Sequence, residues 1–198
     1  MRKYIIPIVL LFLFNGCSSF NFVDSINKVK FDLVEISSIT FCDVNFKDKS
    51  KLKDFNFVEI AKITASVASG KFPGKIEFAV KAQNHGNNPD AFSFASVKIK
   101  SFPYKMYLYD KEVITGNIKN PINFPAPGES VNFELTAGFD LFGVLKDVGY
   151  QKLVNTVLAI KDGDFNSISA KLTSRPVLDL PWGEYEFPDD IKLENKID

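Results

Sequence analysis

The sequence predicts a mainly β fold, an antiparallel β-sandwich of the immunoglobulin-like or fibronectin III-like kind that carries one or two helical insertions. Three observations predict it. Seven or so short runs alternate apolar and polar residues with period two, and Pro/Gly turns separate them. Aromatic residues are abundant, with 20 Phe and 6 Tyr among 198 residues, and aromatic and β-branched side chains suit a pleated, half-buried surface. Two stretches break the alternation, with apolar residues recurring at three and four positions instead.

Taken in order, the alternation Val29, Phe31, Leu33 begins a strand that continues toward Val44 with a slip near Ser37-Ser38. After the charged loop Lys47 to Lys53, Phe57, Ile60, Ile63 and Val67 keep helical spacing. Asp54 as N-cap and Gly70 past the end place a helix over about 54–69. Ile76, Phe78, Val80 and Ala82, separated mostly by charged residues, make the clearest strand. It runs into the turn chemistry of Asn84-His85-Gly86-Asn87-Asn88-Pro89-Asp90. Strands follow at Phe92 to Ser101 and Tyr104 to Tyr109, and Asp110-Lys111 is expected to turn a hairpin into Glu112 to Ile118. Pro121 to Gly128 reads as an extended loop before the strand Val131 to Leu135. Leu141 to Leu158 then keeps helical spacing with a weak point at Gly149, giving one or two helices over about 140–160. Asp162 to Asp164 reads as a turn and Ser167 to Ser174 as a strand. The segment Arg175 to Pro188, with three prolines and the only Trp, reads as an extended closing segment.

The amino terminus has a different logic. Arg2-Lys3 precede the unbroken apolar run Tyr4 to Phe14, followed by Asn15-Gly16-Cys17-Ser18-Ser19. The run is shorter than the ~20 residues needed to span a bilayer, and small Gly16 marks a cleavage site just before a cysteine. The stretch therefore resembles the lipobox of bacterial lipoproteins, although Phe14 and Asn15 stand where Leu and a small residue are usual. The resemblance implies a signal peptide over 1–16, palmitate and related acyl groups on Cys17, and a lipid anchor in the cell envelope. Ser18-Ser19, rather than an aspartate, favours the outer membrane. Residues 17–28 then form a tether, 29–188 the domain and 189–198 a polar tail.

Composition narrows the function classes. The chain has 24 basic and 24 acidic residues, and removing residues 1–16 takes away only Arg2 and Lys3. So neutral a chain lacks the basic face of a nucleic-acid binder. Only Cys42 remains once Cys17 is acylated, so no disulfide forms within the chain, and a buried structural thiol is the expectation. His85 has no cysteine or second histidine to complete a zinc site. Asp162-Gly163-Asp164-Phe165-Asn166 lacks the closing Glu of a calcium loop, Thr173 standing in its place. No Gly-x-Ser-x-Gly elbow or phosphate-cradling Gly loop occurs. Glu184 with Glu186, and Asp189 with Asp190, read as solvated acids rather than a glycosidase pair. The chain is thus expected to be non-catalytic and to need no metal or cofactor. Tyr107 and Tyr109, sharing a strand face, together with Trp182, are the candidate ligand-binding residues, an aromatic platform for a glycan or lipid head group. Tyr104 would point the other way with Met106 and Leu108.

Residues 75–135 also resemble the late embryogenesis abundant type 2 domain, or water stress and hypersensitive response domain. The residues that carry it are Ile76 to Ala82 leading into Asn84, Tyr104-Lys105-Met106-Tyr107-Leu108-Tyr109, the turn toward Gly116, and Phe124-Pro125-Ala126-Pro127-Gly128-Glu129-Ser130-Val131. His85 departs from the family's usual proline, and Asp110-Lys111 replaces its Asp-Gly turn. The resemblance implies a β-sandwich and a non-enzymatic role linked with stress, in bacteria often on lipoproteins. The reading is a lipid-anchored envelope module that interacts with an envelope protein, glycan or lipid, or protects against stress.

Overall fold

A computed structural model describes residues 26–86, 97–162, 164 and 170–195. The segment expected to be a signal peptide, Cys17 and most of the expected tether lie outside them, as do residues 87–96, 163, 165–169 and 196–198. The fold is the mainly β sandwich that the alternation predicts, with helical insertions at two places.

The first layer contains β1 (Val29–Phe41), β2 (Val44–Asn45), β3 (Pro73–Asn84), β8 (Ser130–Asp140) and the terminal β13 (Glu194–Asn195), in the order β13-β1-β3-β8, with β2 folded back on β1. Period-two patterning lets β3 bury Ile76, Phe78, Val80 and Ala82 on one face while Lys75, Glu77 and Lys81 stay outside. The expected slip in β1 is real. Its register against β3 shifts between Leu33 and Glu35 and again between Ile36 and Ser38, and Ser37 Oγ donates to the Glu77 carbonyl at 3.2 Å. By contrast β8 pairs with β3 without interruption from Pro73↔Asp140 to Gln83↔Ser130.

The second layer is creased. Its strands form two groups, β11 (Gly183–Glu186), β10 (Val177–Leu180), β4 (Lys98–Ser101) and β7 (Ile122–Asn123), and then β12 (Ile191–Lys192), β9 (Ala170–Ser174), β5 (Tyr104–Leu108) and β6 (Lys111–Gly116). The groups are continuous through the chain. β4 passes into β5 at Phe102-Pro103, β9 passes into β10 at Arg175-Pro176, and Ser174↔Tyr104 and Val177↔Ser101 pair on either side. Proline carries no N–H, so the ladder stops where the two prolines meet. One bond crosses the gap, from Arg175 N–H to the Pro103 carbonyl at 3.2 Å. On the neighbouring side Asn117 Oδ1 accepts from Phe102 N–H at 2.7 Å, standing in for a ladder partner.

The core lies between the layers and is rich in rings. Phe102, at the crease, sits 5.2 Å from Phe31 and 5.1 Å from Phe133, both in the first layer. At one edge of the sandwich Tyr104 passes over Gly116, its partner on β6, and donates its hydroxyl to the Thr136 carbonyl of β8 at 2.8 Å. At the other edge the chain end crosses between layers: β12 pairs with β9, Leu193 is buried and donates its N–H to the Leu172 carbonyl, and β13 runs parallel to β1.

Several boundaries differ from expectation. The segment 175–188 is not simply extended but forms the β10–β11 hairpin, with Pro181-Trp182 as its turn. The domain does not close at 188: residues 191–195 pair within it, so the supposed polar tail contributes structure. At the other end Ile26, assigned to the tether, is fully buried. Helix α1 (Phe57–Ala68) is capped by Asn56 rather than Asp54. Asn56 and Glu59 exchange bonds in a capping box, whereas Asp54 holds the Ser50 and Lys51 N–H groups of a 3₁₀ turn. Gly70, at φ 77°, ends α1 as expected, with Gly70 N–H bonded to Val67 and Lys71 N–H to Ser66. Gly149 divides the second insertion into α2 (Phe142–Val148) and α3 (Tyr150–Lys161), of which α3 buries Leu153, Val154 and Val157.

Helices α1, α2 and α3 gather at one end of the first layer. Phe41, Gly74 and Phe139 are aligned there by register, α1 closes shortly before Pro73, and α2 opens just after Asp140.

A Cβ added at Gly116 would lie 2.3 Å from the Tyr104 hydroxyl. Gly116→Ala should therefore cost about 1–3 kcal/mol, the usual range for overpacking, and Tyr104→Phe about 1 kcal/mol for its bond, both read by urea unfolding. Burial pushes the Tyr104 phenol from its ordinary value of 10.0 up to about 12. The unfolded phenol ionises first, so this contribution is complete below pH 10 and is lost as pH rises toward 12. Tyr104→Phe should flatten that alkaline loss of stability; an unchanged slope would contradict the assignment.

Candidate functional site

The crease opens a groove of about 360 Å³ on the outer face of the second layer. Its walls follow from strand alternation. Tyr104, Met106 and Leu172 face the core, so Lys105, Tyr107, Lys171 and Thr173 face outward, with Thr115 opposite Lys105. The end of β11 supplies Glu186, the stretch joining β11 to β12 supplies Asp190, and the crease supplies Pro103 and Arg175. Ser174 borders the groove, but its register with Tyr104 places it on the inward side. Its Oγ is buried and has no hydrogen-bond partner among the described residues.

Three of the groove's charges, Arg175, Asp190 and Lys105, are paired but loosely held. Arg175 Nε lies 2.8 Å from Asp190 Oδ1, and Lys105 Nζ lies 2.9 Å from Glu112 Oε2, each partner about half exposed. The hydrogen bond and charge of Glu112 raise the Lys105 ammonium above its ordinary value, so it stays charged at neutral pH. Lys171 Nζ stands 5.9 Å from the Tyr107 ring centroid. Exposed ion pairs of this kind contribute ~0–1 kcal/mol, so a ligand carrying hydroxyls or an anion can replace one partner at small cost. A ring face beside such groups suits a polar, partly apolar ligand.

The candidate rings occupy different places. Tyr107 lines the groove. Tyr109 leaves the strand: with Asp110 it forms the hairpin turn at φ 50° and 61°, one residue earlier than the expected Asp110-Lys111 turn, because Lys111 already pairs with Leu108. Its hydroxyl is 2.8 Å from Thr156 Oγ1 of α3, and Lys152 Nζ stands 4.5 Å from its ring centroid. Trp182 is 56% exposed at the tip of the β10–β11 hairpin. The alternation that gave Tyr107 and Tyr109 a common face ends before Tyr109. Tyr104 does point inward with Met106 and Leu108.

Arg175 and Lys105 were not singled out in the sequence as binding residues, and Glu186 and Asp190 were read only as solvated acids. Their signal was the pair of interrupted strands, Phe102-Pro103 and Arg175-Pro176, each with alternation on both sides. Cys42 is a buried free thiol at a tight turn. Loss of solvent raises its pKa above the ordinary value; Ser66 opposes this by hydrogen bonding, and Asp140 and Asp43 reinforce it. His85 is tied by its backbone N–H to the Lys28 carbonyl. The described residues contain no group of three His, Cys, Asp or Glu side chains able to hold a metal ion.

Compared with known proteins, the chain matches no family model and no curated sequence. Among solved structures, it is similar to a crystal structure of a protein from Archaeoglobus fulgidus, with 12% identity over 63% of this chain and 87% of that one and a TM-score of 0.34. A structural genomics X-ray target gives 5% identity over 86% and 89% of the two chains, with a TM-score of 0.37. A solution structure from Arabidopsis thaliana gives 17% over 65% and 72%, with a TM-score of 0.31. Such scores are too low to carry an argument about fold or function.

Proposed function

We propose that this protein is a lipid-anchored, non-catalytic module of the bacterial envelope, acylated at Cys17 and serving interaction or stress protection, with the outer membrane as its site. The observation that carries this reading is the run Tyr4 to Phe14 ending in Asn15-Gly16-Cys17. Two or three acyl chains hold a protein stably on a bilayer, where one holds it only marginally. A domain so tethered meets its partners at the membrane surface. Cys17→Ser should abolish incorporation of labelled palmitate and move the protein out of the membrane fraction. Unchanged labelling and fractionation would overturn the reading.

The groove favours a second reading, a module for a glycan or lipid head group. Tyr107 offers a ring face, and Arg175, Lys105, Glu186 and Asp190 offer hydrogen bonds to hydroxyls or phosphate. On glycan arrays or lipid overlays, Tyr107→Ala should weaken binding about tenfold, on the order of 1.4 kcal/mol, while Trp182→Ala at the hairpin tip leaves it intact. Binding that survives Tyr107→Ala removes the groove assignment.

A further inference from the structure

Helix α1 faces the wrong way for a helix that serves only the core. At 3.6 residues per turn, buried Ile63 and half-buried Glu59, Ser66 and Val67 define its inner side. The outer side carries Phe57, Ala61, Thr64, Ala65 and Ala68, flanked by Val58 and Ile60, with Lys62 as the only exposed charge on the helix. Phe57 is 84% exposed, Val58 63% and Ile60 45%. An ordinary surface helix has its apolar stripe inward and its charges outward. Here the ion pair Lys49–Glu59 is on the inner side, and the apolar stripe meets solvent.

The surroundings of this stripe are cationic. Lys51, Lys53, Lys62 and Lys71 are exposed, and none makes an ion pair among the described residues. Most carboxylates at this end are engaged. Asp54 holds two backbone N–H groups, Glu59 holds Lys49 and the Asn56 N–H, Asp140 holds the Phe72 and Phe142 N–H groups, and Asp162 pairs with Lys161. Asp43 and Asp48 remain, outnumbered by the lysines.

We propose that α1 is an interfacial helix that seats on an anionic lipid surface, inserting Phe57, Val58 and Ile60 while Lys51, Lys53 and Lys62 meet lipid phosphates. A short apolar wedge edged by cations is what such a surface accepts. A second copy of the chain suits it less well. Two α1 faces brought together would oppose lysine to lysine, and three large side chains are few beside the ~800 Å² per partner of a stable interface. With 12 residues α1 is too short to cross a bilayer, so it lies in the interface plane. β1 separates this end from Ile26 by 13 residues, about 43 Å, so the contact is distinct from the proposed acyl anchor and does not rest on it.

The test places a tryptophan reporter on the helix, Phe57→Trp in a Trp182→Phe background of the full chain. Vesicles are phosphatidylcholine with or without phosphatidylglycerol, and a brominated-lipid series gives depth. The proposal requires a blue shift and loss of emission on brominated lipid in phosphatidylglycerol vesicles. Both should weaken severalfold without the anionic lipid or in the triple variant Lys51→Glu, Lys53→Glu, Lys62→Glu. Emission that stays unshifted and unquenched, equal quenching in both vesicle types, or a chain that does not float with phosphatidylglycerol vesicles would each overturn it. A blue shift without vesicles, accompanied by a dimer in sedimentation equilibrium, would assign the face to contact between copies instead.

Discussion

One bond at the edge of the sandwich sets conditions that much of the chain has to meet. The Tyr104 hydroxyl reaches the Thr136 carbonyl, and to do so its ring must cross β6 where it has no side chain, at Gly116. This joins β5 of the second layer to β8 of the first within a fully buried site, so the phenol has neither water nor room to move elsewhere. The ring also meets Phe78 edge to face at 5.9 Å, which fixes β3 in the same place. With Tyr104 inward, Lys105 and Tyr107 are forced outward by strand alternation. The outer surface of the second layer is thus set by what its inner surface must satisfy.

The groove follows from a second constraint, the two prolines that interrupt neighbouring strands side by side. A flat continuous layer would carry ladder bonds through this position, but Pro103 and Pro176 have no N–H to give. The layer creases, Phe102 fills the inner side against Phe31 and Phe133, and Arg175 is left on the outer side beside Asp190. A packing solution inside and a concavity outside are therefore the same event. The solvent-exposed ion pairs bordering the concavity contribute little to stability, so exchanging one of them for a ligand does not threaten the fold.

Much of this was legible in the sequence where a residue's neighbours in the chain decide its fate. Alternation gave β3, β8 and the inward Tyr104; Gly70 and Gly149 gave the helix ends. The first failure was decided by competing local bonds and the others by distant partners. Asn56 displaced Asp54 as the cap because Glu59 could answer it and Asp54 was taken by the preceding turn. Tyr109 left its strand because its turn could be held by Thr156 and Lys152 of a helix some forty residues on. Residues 191–195 look like a polar tail because two short pairings with β9 and β1 leave no periodic pattern to see. The groove needed both X-Pro breaks to be recognised as neighbours, and nothing in the spacing announces that pairing.

The same reasoning separates what the helices at one end do for the fold. α3 is inward by pattern and by observation, burying Leu153, Val154 and Val157, and its Thr156 supports the Tyr109 turn. The second insertion is accordingly a structural one. α1 shares its location but buries only Ile63 fully, and its stability draws instead on local devices: the Asn56–Glu59 capping box, the Lys49–Glu59 pair and the backbone bonds around Gly70. A helix held chiefly by its own termini and one buried residue is free to present its remaining surface. Natural surfaces rarely leave a large aromatic side chain as open as Phe57 beside further apolar neighbours unless something covers it. Because Ile63 and Val67 suffice to seat the inner side of α1 on the core, its outer face is left over for a purpose other than folding.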